Sequence, residues 1–195
     1  MRTMLKSILA AFALVPAAVQ AVRSENDDEK VRVYTNKHLR IRFAVPEDGY
    51  ELRTRGFKYG YDGTLAEFDD KDGQVSGVLE HFKTEKKAAE ILANLEKRLR
   101  SDKDFQNFRV VQEKKLDRPE GEWLLREYRY ETGGDEVHEV RVVGVCGKSA
   151  FAVAIWTGEE HWEDRKDEMF RIANSLESGA TEAKKLRKLD EDQKP

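Results

Sequence analysis

The sequence predicts an α+β fold, an α/β/α sandwich with a largely antiparallel central sheet and two main amphipathic helices. Three observations carry that prediction. Runs with a period of two recur along the chain, separated by short turns rich in Gly and Asp, so consecutive strands can pair as antiparallel meanders. Two segments change to helical spacing, one opening at Thr84 and one at Thr157. The pair 136–146 and 149–156 is apolar on both faces, with Val140, Val142, Val143, Val145, Phe151, Val153 and Ile155 and alanines between them. A strand of that kind belongs in the middle of a sheet covered on both sides.

The elements follow in chain order. Leu39, Ile41, Phe43 and Val45 alternate with His38, Arg40, Arg42 and Ala44, which reads as a strand with one buried face, stopped by Pro46-Glu47-Asp48-Gly49. Phe57, Tyr59 and Tyr61 keep a period of two before the Asp62-Gly63 hairpin signal. Asp72-Gly73 is a second such signal, and 74–83 reads as the next strand. From Thr84, a helix of about 17 residues places Ala88, Leu92, Leu95 and Leu99 on one side. The segments 105–116 and 122–131 read as strands, followed by the Thr132-Gly133-Gly134-Asp135 turn and then the apolar pair, joined through Gly147-Lys148. Thr157-Gly158-Glu159-Glu160 has the pattern of a capping box. The helix it opens has Trp162, Met169, Ile172, Ala173 and Leu176 on its apolar side.

The two ends differ in character from this body. Residues 1–21 read as a secretory signal: Arg2 and Lys6 are followed by the short apolar run 7–15, then by Pro16 to Ala21 with small residues at the expected cleavage positions. The apolar run is too short to span a bilayer. Removing the leader takes the net charge from −3 to −5. Residues 22–30 are polar and acidic and read as a flexible linker, 31–176 as one globular domain, and 177–195 as a charged tail, disordered or a frayed helix. The body carries 35 Lys+Arg against 38 Asp+Glu over the full chain, a balance that points away from nucleic acid. The single cysteine, Cys146, cannot make an internal disulfide, and its valine-rich surroundings predict a buried small side chain.

This arrangement resembles the Mog1/PsbP/DcrB-like fold family over about 31–176. The resemblance rests on Tyr34-Thr35, on Leu39 to Pro46 followed by Gly49-Tyr50, and on Ala152 to Trp156 followed by a helix ending Ala173-Asn174-Ser175-Leu176. Many members have Trp where Tyr50 stands, and Ser-Phe where Ser175-Leu176 stands. Members are mostly non-enzymatic and include an extrinsic subunit of photosystem II, a Ran-binding protein and periplasmic proteins. The resemblance therefore implies a binding or assembly module, by fold analogy. No partner-binding motif of the family maps onto this sequence residue by residue.

Motifs that could carry chemistry are incomplete. Gly144 to Ser149 lacks the first glycine of a phosphate loop, with Val142 in its place, and it joins two strands. Phe68 to Gly73 hints at a calcium loop, but Phe68 cannot ligate and Leu79 stands where the bidentate acid belongs. His38, His81, His138 and His161 show no chelating spacing, and the acids Glu159, Glu160, Glu163 and Asp164 suit the positive end of a helix. No nucleophile elbow occurs. No catalytic, cofactor or metal residues are assigned, and no cofactor is expected.

The expected partner surface is the aromatic stripe Phe57, Tyr59, Tyr61 with Arg53 and Arg55 upstream, since aromatics and Arg dominate interface hot spots. The reading is an exported, soluble, non-catalytic module, periplasmic or extracellular, bound to another envelope or extracellular protein and not inserted in the membrane after cleavage. The alternative is a metal-dependent or small-ligand protein with a dispersed site, with a pocket near Trp123 and Trp156.

Overall fold

The structure is a computed structural model that describes residues 30–55, 63–118 and 121–178, and residues 18–23 as backbone. A seven-stranded sheet runs in the order β4-β5-β6-β10-β9-β8-β7, with every neighbouring pair antiparallel. Its strands are β4 (Tyr50–Thr54), β5 (Gly63–Asp70), β6 (Val75–Lys83), β7 (Gln106–Lys115), β8 (Glu122–Thr132), β9 (Asp135–Cys146) and β10 (Ser149–Gly158). A smaller antiparallel sheet has the order β1-β2-β3-β11, from β1 (Ala18–Arg23), β2 (Lys30–Asn36), β3 (Ile41–Pro46) and β11 (Glu177–Ser178).

The helices α1 (Ala88–Ser101) and α2 (Glu159–Asn174) lie on opposite faces of the large sheet. The apolar valine pair shows why. Val142 and Val153 are fully buried in the core shared with α2, whereas Val143 and Ala152 belong to the core beneath α1. Alternation along β9 and β10 thus feeds two separate cores, and the expected sandwich is the observed one. On the α2 side, Ile41, Phe43 and Val45 of β3 join the same cluster, so the small sheet extends the α2 layer.

Register among the last three large strands is fixed by two tight turns. Gly133 and Gly134 take φ of 64° and 93°, the left-handed pair that a two-residue hairpin turn needs, and they set Thr132 opposite Asp135. The second turn sets Cys146 opposite Ser149. From these, Trp123, Gly144 and Phe151 line up across three strands.

Several expectations need correction. The capping box does not form: β10 continues through Gly158, which is the N-cap of α2 with no side-chain cap bond, and the Thr157 hydroxyl donates to the Gln74 carbonyl at 2.8 Å. Helix α1 begins at Ala88 and not Thr84, its first N–H capped from outside by Glu122 Oε2 at 3.0 Å. The strand expected from Leu39 is β3 and starts at Ile41, because Arg40 takes a left-handed φ of 54°. Cys146 is half-buried, with Sγ 2.9 Å from the Ser178 hydroxyl. Residues 18–23 pair with β2, and 177–178 pair with β3.

Candidate functional site

The α1 face of the large sheet is only partly roofed. Helix α1 packs on β7, β8 and β9, where Glu96 receives Arg126 and the Tyr128 hydroxyl (3.1 Å), and Arg100 Nη1 donates to the Phe108 carbonyl at 3.0 Å. Among the described residues the other half of this face is built by β4, β5, β6 and the end of β10, where the side chains of β4, β5 and β6 and Trp156 are partly or fully exposed.

Two cross-strand rows cross that half side by side. Arg53, Glu67, Val78, Ala154 and Arg141 make one; Glu51, Asp69, Ser76, Trp156 and Glu139 make the other. Trp156 stands in the second row on an inner strand and is 38% exposed, one of three large apolar side chains so exposed among the described residues. Its strand neighbour Glu139 is buried and fully engaged, accepting from Arg141 Nε at 2.6 Å and from the Tyr130 hydroxyl at 3.1 Å. Burial, then the Glu139 charge, pushes the Tyr130 hydroxyl well above its ordinary pKa, so it stays a donor. Trp156 is therefore an exposed ring on a rigid, hydrogen-bonded base.

Arg53 and Arg55 lie on this same face. Arg53 pairs with Asp69 and lies 3.5 Å from Glu51, and Arg55 Nη2 meets Glu67 at 2.7 Å. The hydrogen bond to Asp69 holds the Arg53 guanidinium charged more firmly than usual. All these pairs are more than a third exposed, where a pair contributes about 0.2–1 kcal/mol. They order the side chains more than they stabilise the fold. Phe57, Tyr59 and Tyr61 lie outside the described residues.

The sequence reading missed Trp156 as a surface residue and placed it in a pocket with Trp123. The two rings are on opposite faces of the sheet: Trp123 is 1% exposed in the α2-side core, against the Arg118 guanidinium at 4.4 Å. The signal was present in the two hairpin turns, since they put Trp123 in line with Phe151, and Trp156 then falls on the other parity.

The histidines do not assemble. His81 bonds Ser149 Oγ at 3.3 Å, and His161 lies 3.7 Å from Glu160. His138 stacks on Trp162 at 4.3 Å, bonds Glu159 through Nε2, and has Nδ1 3.6 Å from Glu127 Oε1, in a cleft of about 430 Å³. His138 and Glu139 face opposite sides of β9. Among the described residues, no group of three or more His, Cys, Asp or Glu side chains is placed to hold a metal ion, and no helix is long and apolar enough to cross a membrane.

No protein-family model matches the chain, and neither does any curated protein. Solved structures do match. Cyanobacterial PsbP (CyanoP) from Synechocystis superposes with a TM-score of 0.61 at 15% identity, over 81% of this chain and 98% of that one. The fold is the Mog1/PsbP/DcrB-like one. The Ran-binding protein Mog1p of Saccharomyces cerevisiae matches with a TM-score of 0.48 at 9% identity, over 78% and 97% of the two chains. PA94 of Pseudomonas aeruginosa, a protein of unknown function, matches with 0.48 at 10%, over 77% and 98%. At these identities the Mog1/PsbP/DcrB-like likeness concerns architecture, and the chemistry of a site has to come from this chain's own residues.

Proposed function

We propose that the protein is an exported, non-catalytic module that binds or assembles with another envelope or extracellular protein through the open half of its sheet. The observation that carries this reading is Trp156, an exposed aromatic on an inner strand, beside ordered Arg–carboxylate pairs. Trp and Arg are the residue types that most often anchor protein interfaces. Arg53 lies in β4 and Arg55 just after it, Phe57, Tyr59 and Tyr61 follow in the sequence, and the proposal takes these five residues together with Trp156 as the partner surface. The leader-like residues 1–21 support export, and the scattered histidines support binding over catalysis.

The test is site-specific photo-crosslinking in the cell, with the reactive group at position 156 or at position 97 on the outer side of α1. A discrete adduct from 156, absent from 97 and lost when Arg53 and Arg55 are both changed to Glu, is the expected result. Equal adducts from both positions, or an adduct indifferent to Arg53 and Arg55, would overturn the surface. The Phe57→Ala/Tyr59→Ala/Tyr61→Ala variant should weaken the same adduct. N-terminal sequencing of protein recovered outside the cytosol tests export separately.

A further inference from the structure

The smaller sheet has an edge that depends on the leader. Strand β1 is the outermost in the order β1-β2-β3-β11, and it pairs with β2 along six positions, from Ala18 opposite Thr35 to Arg23 opposite Lys30. While β1 is present, β2 is an inner strand. The cleavage expected after Ala21 falls inside β1 and takes Ala18 to Ala21 with it. The two residues left, Val22 and Arg23, are too few to hold a ladder. The main-chain groups of β2 that faced β1 then lose their partners, and an edge of that kind is a template for another strand.

We infer that removal of the leader turns β2 into a docking edge, filled in the exported protein by an extended segment of a partner protein running antiparallel to residues 30–36. This rests on the export reading above. The chemistry of the occupant follows from how β1 fits. Its first five residues, Ala-Val-Gln-Ala-Val, are small, β-branched or neutral, and they pair without interruption. Its last does not suit the edge: in the register Arg23 falls opposite Lys30, two like charges, and Ala21 falls opposite Arg32, so β1 offers neither cation of β2 a carboxylate. The leader strand is thus a poor match for this edge, and its cleavage clears the way for a better one. The segment that fits is neutral and small through most of its length and carries a carboxylate where β1 carries Arg23.

The experiment uses the exported protein and synthetic peptides with the sequence of residues 16–24. One peptide is native, one carries Arg23→Glu, and one carries Gln20→Pro, which removes the ladder donor opposite Val33. Hydrogen exchange reads the amides of Val31, Val33 and Thr35, which face β1, whereas those of Arg32 and Tyr34 face β3. In the exported protein alone these amides exchange fast, and the Arg23→Glu peptide slows them at least about tenfold. Inverting one cross-strand charge pair makes that peptide bind roughly threefold or more tighter than the native one, and the proline peptide gives no protection. Amides already as protected as those of β3, or unaffected by any peptide, would overturn the inference. Protection that rises with protein concentration would overturn it too, by making a second copy the occupant. N-terminal sequencing that finds residues 18–23 retained overturns it as well, since the edge stays covered, yet leaves the Trp156 surface to stand or fall on its own crosslinks.

Discussion

Replacing Gly144 by alanine probes how tightly the α2-side core is built. A Cβ at Gly144 would lie 2.3 Å from Cε3 and Cζ3 of Trp123 and 2.4 Å from Cη2. Ordinary contact begins at 3.4 Å, so the indole has to retreat by about an ångström. The ring is 1% exposed and has the Arg118 guanidinium over it at 4.4 Å, and Arg118 is itself tied to the carbonyls of Leu176 and Asn174. Retreat therefore disturbs a stacked cation and the end of α2 together. Overpacking of this kind costs about 1–3 kcal/mol. Alanine recovers about 0.5–1 kcal/mol of backbone entropy relative to glycine, which is too little to cancel the clash. A net loss of about 1–2 kcal/mol would lower the melting temperature by roughly 2–8 °C for a chain of this size. Urea and thermal unfolding, followed by far-UV circular dichroism and Trp emission, measure it. The control is Trp123→Leu, in which the added methyl group finds room. There Gly144→Ala should cost less than about 0.5 kcal/mol, giving a coupling energy of at least about 0.5 kcal/mol. Equal costs in both backgrounds, or no cost in the native one, would refute the steric reasoning.

Other outcomes follow from single contacts. Asp70, buried, accepts from the N–H groups of Gln74 (2.7 Å) and Val75 (3.1 Å) and from Arg165 Nη2 (3.1 Å), so Asp70→Ala should cost about 3 kcal/mol in urea unfolding. Ser175→Ala removes the acceptor of the Ala44 N–H (2.9 Å) and should cost about 1–2 kcal/mol, with faster exchange at that amide. Burial raises the hydroxyl pKa of Tyr34, Tyr50, Tyr128 and Tyr130, with Glu168, Glu96 and Glu139 adding to it at the last three. The folded state then holds protons that the unfolded chain releases near pH 10, so stability is complete below about pH 10 and falls above it. Tyrosinate absorbance from these four should therefore rise together with loss of the circular dichroism signal. Their ionisation within an intact fold would contradict the burial argument.

Much of the architecture was legible because periodicity and turns are local. The two-sided apolar strands, the α1 stripe and the Gly133-Gly134 turn each speak through neighbouring residues, and each appears where expected. What was illegible depends on distant partners. Thr157 has the composition of a cap, but the carbonyl of Gln74 on the adjacent strand competes for its hydroxyl and wins. Helix α1 is capped by Glu122, 34 positions away from Ala88, which no local pattern reveals. Strand β2 lacks clean alternation, because a small sheet shared with a helix layer takes its burial from that layer. For the candidate surface, Arg53 and Arg55 were visible from composition. Trp156 needed the strand register to assign its face.

The hydrogen bond from Ala44 to Ser175 joins positions 131 apart, and α2 fills the layer beside β3. A nascent chain can zip the local meander β8-β9-β10 as soon as it is made. The β3 side of its hydrophobic interior, however, stays uncovered until the final helix has been synthesised. Such a polypeptide remains pliable until synthesis is nearly over, which suits the export proposed above.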